Sequence, residues 1–438
     1  MKKISCRFLQ RAVYYAPDEL RHCCQRYYVN GKLMGDVKVL SAKDNSDVSL
    51  KNIIKAKNEL IEKINKGEKT DCYGCPLLEK AEWKKVEDEK FDHISIEHHA
   101  KCNMRCRYCS DTYYGGKLAN YDIQKSLNEL IANDKIRDDV QVAWGGGEPT
   151  IVKDFNKIIE LVNKKIKPKS QRFFSNAINY SEIIAELMKK NEATLTTSVD
   201  AGSIETFKLV RKVNQYEKVL KNLKKYYEKS PNNLIIKYIL TEDNSSISEI
   251  ESFVKDMKKY GLSKANFLIS SNYYDEKLTL DQGITIIYFH HLLIKNSAKT
   301  CALDEHVRPR INKIASTLLN NNKLLEKYPD VIKKIIQDLK EKKKTVKNII
   351  VWGVGPYANL LLNNSVTFSD SNVEFFVDSN PHKQGKKFRN STVLKPDQIL
   401  KSNLPILIAA SFWYHDIVKQ IKLEYKVDTS RILSSSII

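Results

Sequence analysis

The sequence predicts an α/β protein with a long, mainly parallel sheet and a second, smaller parallel sheet near the C-terminus. Strand-like and helix-like segments alternate from about residue 91 to residue 296, and a cysteine-rich loop and a glycine-rich loop both follow strands. A separate alternation begins at Val346. Repeated strand–helix units form parallel sheets with right-handed crossovers. We therefore expect an open barrel of six such units, followed by an independent parallel-sheet domain.

The alternation defines each element of the expected barrel. Apolar runs of strand length predict strands at His93–His98, Val140–Trp144, Arg172–Asn176, Ala193–Val199, Leu234–Leu240 and Asn266–Ser270. Helical periodicity predicts helices at Ile123–Ile131, Phe155–Val162, Ile183–Met188, Tyr216–Tyr227 and Ile247–Met257. Parallel barrels place their chemistry at the carboxyl ends of the strands, where the cysteine and glycine loops fall.

The 438 residues allow about two to four domains. We expect a cysteine-rich region at 1–90, the barrel at 91–296, a helical connector at 297–345 and the second sheet at 346–438. No run of 18 apolar residues is present, and the N-terminus lacks the apolar stretch of a signal peptide. We expect a cytoplasmic protein without a membrane span, whose nine cysteines bind metal rather than form disulfides.

The net charge of +20 raises the alternative of an RNA-binding or RNA-modifying protein. Only 13 of the 73 basic residues are arginine, and the lysines are distributed over almost every helix. Nucleic-acid recognition favours clustered arginine with interleaved aromatic residues. The composition therefore indicates a solvated lysine-rich surface, and nucleic acid is not the expected partner.

The most informative motif is the loop that carries Cys102, Cys106 and Cys109, with Tyr108 before the third cysteine. Three thiolates on one short loop can hold three irons of a four-iron cluster and leave the fourth iron open to a small ligand. A structural zinc site is the alternative, with His98 or His99 as the fourth ligand.

The glycine loop lies one strand–helix unit later, where Gly145, Gly146 and Gly147 precede Glu148 and Pro149. The chain has only 15 glycines, so three in succession at a strand end are unusual. Glycine lets the backbone approach a ligand closely.

The C-x3-C-x2-C loop and the GGGEP loop together resemble the radical S-adenosylmethionine (radical SAM) superfamily. The resemblance implies a partial (β/α)6 barrel and a [4Fe-4S] cluster on Cys102, Cys106 and Cys109, beside Tyr108. It implies that the open iron binds SAM and that reductive cleavage gives a 5'-deoxyadenosyl radical, which abstracts hydrogen from a substrate. In the family, the glycine loop lines the methionine end of SAM, so Gly145, Gly146, Gly147 and Glu148 are candidate contacts.

The resemblance extends to the ends of the third and fourth strands. It implies that Ser175 and Asn176 face the cofactor, that Ser198 and Asp200 contact the ribose, and that Arg211 pairs with the SAM carboxylate. A guanidinium fork matches a carboxylate in two-point geometry. Strand-end capping is the alternative role for Ser198 and Asp200, and a solvated helix charge is the alternative for Arg211.

The N-terminal region offers a second thiolate set, consisting of Cys6, Cys23, Cys24, Cys72 and Cys75. Cys72 and Cys75 form a C-x2-C turn, and two of the other three cysteines would complete a four-thiolate shell for a second iron–sulfur cluster. A zinc ion is the alternative to the iron–sulfur cluster at these cysteines. One member of the adjacent pair Cys23–Cys24 is expected to be spare, and Cys301 is expected to be a free thiol.

The C-terminal segment begins with a strand at Asn348–Trp352, followed by a loop with Gly353 and Gly355. A second strand ends at Asp378, 23 residues beyond Gly355. A G-x-G-x-x-A loop between strand and helix, with an acid near this distance, indicates nucleotide binding. The segment resembles small Rossmann-like domains appended to sugar and cell-surface biosynthetic enzymes, and a purely structural role is the alternative.

The predicted function is that of a radical SAM enzyme acting on a small molecule, such as a sugar or nucleotide sugar. Modification of a peptide or protein is the alternative within the same family. A one-electron donor such as flavodoxin or ferredoxin is the expected protein partner.

Overall fold

The computed structural model describes residues 2–110, 113–272, 277–304, 307–365, 367–410 and 413–433. The chain divides into two compact units. The first comprises Met1–Ser198 and Phe207–Ile235, and the second comprises Val199–Thr206 and Ile236–Ile438.

The first unit contains the N-terminal region and the first four predicted barrel strands. Its strands are β1 (Lys3–Ser5), β2 (Ala12–Tyr15), β3 (Glu19–Arg21), β4 (Arg26–Val29), β5 (Lys32–Gly35), β6 (Lys38–Ser41), β7 (Glu79–Ala81), β8 (Phe91–Ile96), β9 (Ile136–Trp144), β10 (Ser170–Phe174) and β11 (Ala193–Ser198). Its helices are α1 (Arg7–Arg11), α2 (Leu50–Asn65), α3 (Ile123–Ala132), α4 (Phe155–Leu161), α5 (Glu182–Lys189), the end of α6 (Ile204–Arg211) and α7 (Tyr216–Lys229).

The sheet of this unit follows the order β11-β10-β9-β8-β2-β3-β6. Strands β2, β8, β9, β10 and β11 run parallel, and β3 and β6 complete the edge in antiparallel pairing. The predicted barrel strands are therefore present. The sequence did not predict that the cysteine-rich region adds β2, β3 and β6 beside β8.

Large aromatic side chains fill one face of this sheet. The Trp144 and Phe173 rings stack with centroids 5.5 Å apart, and Phe155 of α4 meets the Trp144 ring edge-on. Trp144 Nε1 donates to Gln171 Oε1 at 3.0 Å, so the buried indole keeps a hydrogen-bond partner. This packing holds the strands whose carboxyl ends carry the glycine loop and Asn176.

The second unit contains the remaining barrel-type elements and the C-terminal segment. Its elements are β12 (Leu234–Leu240, which begins in the first unit), α8 (Ile247–Lys259), β13 (Asn266–Ser271), α9 (Leu280–Lys295), β14 (Thr300–Leu303), α10 (Val307–Leu319), α11 (Asn322–Leu325), α12 (Asp330–Thr345), β15 (Asn348–Trp352), α13 (Pro356–Asn364), β16 (Asn372–Val377), β17 (Lys387–Phe388), β18 (Ser391–Leu394), β19 (Ile406–Ile408) and α14 (Tyr414–Leu423).

Short helical turns complete the described structure. The 3-10 turns are Val86–Asp88, Pro149–Ile151, Glu242–Asn244, Pro396–Lys401 and Thr429–Arg431, and α4 continues into a π-helical turn at Val162–Ile166.

One difference from the prediction lies in the expected helical connector. It begins with a strand, β14, which pairs in parallel with β13. The run Thr300–Leu303 is only four residues long and all four are buried, so its length and pattern gave little signal. Cys301 lies in this strand as a buried free thiol.

The C-terminal sheet follows the order β17-β18-β16-β15-β19. Strands β15, β16, β18 and β19 are parallel, and only β17 pairs antiparallel, with β18. The parallel part thus has the order third-second-first-fourth, which is typical of half of a doubly wound nucleotide-binding sheet. No helix in the described part of the chain is long and apolar enough to cross a membrane.

Candidate active site

The loop with Cys102, Cys106 and Cys109 follows β8 and is fixed by main-chain hydrogen bonds to the end of α6. Arg105 N–H donates to the Arg211 carbonyl at 3.3 Å, and Arg107 N–H donates to the Val210 carbonyl at 3.0 Å. Within the loop, Cys109 N–H donates to the Cys106 carbonyl at 3.1 Å. The loop is therefore anchored by backbone contacts.

All three thiols of this loop are half-buried. Burial and, after it, the charges of Cys106 and Cys102 raise the pKa of Cys109 to about 11. Cys102 Sγ lies 3.8 Å from Asn176 Nδ2. Among the described residues, no three or more His, Cys, Asp and Glu side chains are grouped so that they could hold a metal ion as they stand.

The glycine loop packs directly on the backbone that leads into the cysteine loop. Gly146 has φ of +87°, and a Cβ there would lie 2.6 Å from the His99 carbonyl oxygen. A Cβ on Gly147 would lie 2.1 Å from the Lys101 carbonyl oxygen. At Gly145 the nearest atoms would lie 3.7 Å away, which is ordinary contact. Glycine is therefore required at two of the three positions by the close approach of the two loops.

Glu148 joins the glycine loop to the end of β10. Its Oε1 accepts hydrogen bonds from Thr150 N–H, Thr150 Oγ1 and Ser175 Oγ at 3.1, 2.6 and 2.8 Å. Its Oε2 accepts from Asn176 N–H at 2.7 Å. The side chain is 1% exposed, and burial raises the pKa of Glu148 above its usual value against these hydrogen bonds. Three of the predicted site residues thus form one network.

Asn176 links that network to the cysteine loop. Its Nδ2 donates to Asn103 Oδ1 at 2.6 Å and lies beside Cys102 Sγ. Its Oδ1 accepts from Ile178 N–H at 3.0 Å, which fixes the orientation of the amide. Asn176 is therefore held by its neighbours with its amide nitrogen toward the thiols.

Arg211 is buried, at 5% exposure, and is not a solvated helix charge. Its Nη1 donates to Tyr108 Oη, and its guanidinium lies 5.8 Å from the centre of the Tyr108 ring. The positive charge of Arg211 also counteracts the rise in the pKa values of Cys102 and Cys109 that burial causes. Arg211 therefore lies beside Tyr108 of the cysteine loop, and its pairing with the SAM carboxylate stays a prediction.

Asp200 and Ser198 are placed differently. Asp200 belongs to the second unit, is fully buried and has φ of +60°. Its Oδ1 accepts from Ile239 N–H at 2.6 Å, and its carbonyl accepts from Asn244 Nδ2 at 2.9 Å. Ser198 is half-buried at the end of β11. Contact of these two residues with a ribose stays a prediction.

The sequence reasoning missed two residues beside the site. Glu97 follows β8 directly and accepts hydrogen bonds from Ser95 Oγ, at 2.6 Å, and from Tyr113 Oη. Thr150 supplies two of the donors to Glu148. An acid that ends a strand just before a ligand loop, and a threonine two residues after a buried acid, were the available signals.

The N-terminal cysteines lie elsewhere in the first unit. Cys6, Cys23 and Cys72 are buried within one apolar cluster, and Cys75 is half-buried. Cys24 is exposed, and its Sγ lies 3.8 Å from Tyr14 Oη.

In the C-terminal sheet, Gly353 has φ of +100° and precedes Gly355 at the start of α13. The Asp378 carboxylate accepts from Val354 N–H at 2.9 Å and Asn380 N–H at 2.8 Å, and lies 3.2 Å from Lys383 Nζ. The Asp378 carboxylate, which was expected to contact a ribose, is therefore already bonded to donors of the protein itself. Nucleotide binding by Gly353, Gly355 and Asp378 stays a prediction.

Comparison with known families agrees with the geometry of the first site. Residues 96–264 match the family model of the radical SAM superfamily, and residues 345–433 match a domain described as C2185-like, N-terminal. Residues 96–264 are therefore similar to a radical SAM domain. The cofactors of that family are a [4Fe-4S] cluster and SAM. Cys102, Cys106 and Cys109 are half-buried thiols on one short loop, and three thiolates on one loop are a donor set that suits such a cluster.

Curated relatives of this chain include GTP 3',8-cyclases. The protein from Clostridium botulinum strain Hall is 24% identical over 176 residues, which cover 40% of this chain and 55% of the relative. The protein from Haemophilus influenzae is 25% identical over 167 residues, covering 36% of this chain and 47% of the relative. The chain thus spans about half the length of the curated relatives it matches.

Solved structures with some likeness include SuiB of Streptococcus suis bound to its precursor peptide SuiA. It is 15% identical with a TM-score of 0.39, and the match covers 57% of this chain and 62% of SuiB. The hydrogenase maturase HydG of Carboxydothermus hydrogenoformans is 10% identical with a TM-score of 0.36, covering 87% of this chain and 88% of HydG. Likeness at this level does not indicate a substrate.

Proposed function

We propose that the protein is a radical SAM enzyme that abstracts hydrogen from a small-molecule substrate of the nucleotide or nucleotide-sugar class. The observation that carries the proposal is the convergence of three half-buried thiols, the glycine loop and the Glu148–Asn176 network in the first unit. Cys102, Cys106 and Cys109 would hold the cluster, and the free iron would leave room for SAM.

When bound, the cluster and SAM supply the electron transfer and radical chemistry, while the protein supplies binding, orientation and exclusion of water. Gly146 and Gly147 let the glycine loop pack closely on the backbone that leads into the cysteine loop, which holds the two loops of the proposed cofactor site together. Glu148 makes this loop rigid, since both of its oxygens are engaged by donors from residues 150, 175 and 176. A preorganised loop avoids part of the cost of ordering on binding.

Arg211 supports the binding of the SAM carboxylate. Its guanidinium is buried beside Tyr108 on the cysteine loop, where the low dielectric strengthens a charge-assisted pair. Tyr108 orients the guanidinium, whose planar fork matches a carboxylate in two-point geometry. In this proposal Arg211 binds and orients the cofactor.

Two observations support the substrate class. The curated relatives named above are GTP 3',8-cyclases. The C-terminal parallel sheet has the strand order of a nucleotide-binding half, with a glycine turn after its first strand. Because Asp378 is engaged by Val354, Asn380 and Lys383, the ribose would need another partner in that domain.

The surface lysines do not favour RNA as the substrate. Many lie one helical turn from an acid, as in the pairs Lys66–Glu62 at 2.6 Å and Lys164–Glu160 at 3.2 Å. Interleaved charges of both signs are typical of a solvated helix surface rather than a phosphate-binding stripe.

The first experiment tests cofactor cleavage. The full chain is reconstituted anaerobically with iron and sulfide, then incubated with SAM and dithionite, and 5'-deoxyadenosine is measured by chromatography. We expect the product with the native protein and with Cys301→Ala, whose buried thiol lies in β14. We expect no product with Cys106→Ala, because two thiolates do not hold the cluster. Product formation by Cys106→Ala at the native rate would refute the proposed function.

The second experiment tests the substrate class. Purine and pyrimidine nucleotides, nucleotide sugars and short peptides are added to the same reaction, and consumption of each is followed by mass spectrometry. Deuterium transfer from one labelled nucleotide or nucleotide sugar into 5'-deoxyadenosine supports the proposal. Transfer from a peptide alone would replace it with the peptide-modifying alternative.

A further inference from the structure

The N-terminal region contains a second group of thiols that the proposed chemistry does not use. Cys6 lies at the N-cap of α1, Cys23 follows β3, and Cys72 and Cys75 occupy the turn after α2. Cys6, Cys23 and Cys72 belong to one buried apolar cluster, and Cys75 N–H donates to the Cys72 carbonyl in the same turn. The fold therefore brings four cysteines from three separate parts of the sequence into one region.

A backbone N–H group points at one of these sulfurs. Leu9 N–H donates to Cys6 Sγ at 3.3 Å, three residues along the chain. A donor at this position stabilises a thiolate, the form in which cysteine binds a metal.

The turn from Cys72 to Cys75 is held in place by Tyr27 of β4. The Tyr27 hydroxyl lies 3.0 Å from both the Asp71 and Tyr73 carbonyl oxygens. Gly74 takes φ of +71°, and Cys75 N–H donates to the Cys72 carbonyl at 3.1 Å. The turn therefore presents both of its sulfurs from a tight, externally supported loop.

Two buried polar groups beside these thiols indicate that the site holds a ligand. His22 is fully buried, its Nε2 lies 3.9 Å from Cys72 Sγ, and its Nδ1 has no hydrogen-bond partner. Lys57 is fully buried, and its Nζ donates to the Leu9 and Ala12 carbonyls at 2.9 and 2.6 Å. Leu9, which accepts from Lys57, also donates its N–H to Cys6 Sγ, so Lys57 Nζ lies beside the Cys6 segment.

An apolar cluster encloses the group, consisting of Leu9, Val37, Ile61, Ile64 and Val86. Buried free cysteines ordinarily serve only as small apolar side chains that fill space in a core. Filling alone does not account for four cysteines that come together from three segments, the donor to Cys6 Sγ, an unpartnered histidine nitrogen and a buried lysine.

We infer that Cys6, Cys23, Cys72 and Cys75 form a metal centre with four thiolate ligands. The Lys57 ammonium offsets part of the negative charge that four thiolates bring, which reduces the cost of burying that charge. The four thiolates suit either a [4Fe-4S] cluster or a single Zn²⁺ ion, so the shared chemistry is that of a thiophilic metal. Because the sulfurs are not yet grouped to hold a metal ion, binding includes their movement toward it. Cys24 is excluded, because it is exposed and lies beside Tyr14.

The experiment uses the full chain with Cys102, Cys106 and Cys109 all changed to alanine, so that any metal belongs to the second site. Iron, zinc and sulfide are measured per chain after anaerobic purification and reconstitution. We expect either about four irons with about four sulfides or about one zinc, and these two outcomes identify the metal. Absence of both metals in the folded protein overturns the inference.

Single substitutions on this background locate the ligands. Cys72→Ser and Cys75→Ser are expected to reduce the metal content at least fivefold, whereas Cys24→Ser, next to Cys23, is expected to retain it. Cys75 is half-buried, so its variant remains informative if Cys72→Ser does not fold. Retention of metal by Cys75→Ser together with its loss in Cys24→Ser overturns the assignment. These outcomes do not depend on SAM cleavage, so they are separable from the proposed function.

Discussion

The two cysteine groups of the first unit lie in opposite environments. Cys102, Cys106 and Cys109 are half-buried on a loop anchored by its backbone, with Asn176 and Arg211 close by. Cys6, Cys23 and Cys72 lie inside an apolar cluster, and only Cys75 of the second group is half-exposed. A three-thiolate loop open to a ligand suits a reactive centre, whereas a buried four-thiolate set suits a closed one. The two proposed metal sites therefore differ in how open the metal would be to a further ligand, and not in the type of protein ligand.

The largest expected effect is a difference in stability between variants of the two cysteine groups. Cys72→Ser should lower the free energy of unfolding of the metal-loaded protein by about 4 kcal/mol or more, because a buried metal that ties three segments together is lost. Cys109→Ser should abolish SAM cleavage with a much smaller change in stability. Chemical denaturation of both metal-loaded variants measures the difference. Equal destabilisation by the two substitutions would remove the proposed distinction.

The second prediction compares two glycines of one loop. Gly147→Ala should destabilise the protein by about 2 kcal/mol or more, because a Cβ 2.1 Å from the Lys101 carbonyl forces the loops apart. Gly145→Ala is the matched control, since its Cβ would meet only ordinary contacts at 3.7 Å. Thermal and chemical unfolding of both variants provides the measurement. A Gly145→Ala variant as unstable as Gly147→Ala would contradict the packing described here.

The third prediction concerns Glu148. Glu148→Gln should cost about 1–3 kcal/mol of stability, because the amide nitrogen would face the donors that the carboxylate now accepts from. We also expect weaker SAM binding, measured by calorimetry on the reconstituted protein, because the loop loses its orientation. Unchanged stability would mean that the Glu148 network does not organise the site.

The smallest effect comes from His93 on β8, the strand that leads into the reactive loop. Burial, then the charges of Arg7 and Arg172, lower the pKa of His93 to about 3. Below a pH of about 6.5, the unfolded chain binds a proton at this residue and the folded chain does not. Stability should therefore fall by up to about 1.4 kcal/mol per pH unit as the pH drops from about 6.5 towards 3. His93→Leu should reduce this slope in urea unfolding at pH 7.5, 6.5 and 5.5, and an unchanged slope would contradict the burial of a neutral imidazole.

Much of the fold followed from local patterns. Helix Tyr216–Lys229 was predicted as Tyr216–Tyr227, and strand Leu234–Leu240 was predicted with the same bounds. These elements carry strong periodicity over seven or more residues. Strands β2, β3 and β6 were missed because each has only three or four residues, and their pairing with one another and with β8 depends on distant parts of the chain.

In the candidate site, too, the local features were predicted from the sequence and the long-range contacts were not. The spacing of the three cysteines indicated their shared role, because ligands on one loop are close whatever the rest of the fold does. Burial of Arg211 could not be predicted, since it depends on Tyr108, 103 residues earlier in the sequence. The contacts of the Asp378 carboxylate with Val354 N–H and Lys383 Nζ could not be predicted from the sequence either, because they join two loops.

The sequence by itself determined the strand–helix alternation, the cysteine loop and the glycine loop, since each is specified by residues within about one turn or one strand of one another. Only the tertiary structure decided that Glu148 joins Ser175 and Asn176, and that Cys23 rather than Cys24 is buried in one cluster with Cys6 and Cys72. The physical reason is the separation along the chain between the residues that interact. Backbone geometry and residue type fix local patterns, whereas the partner of a buried charge or thiol is set by which distant segments pack against it.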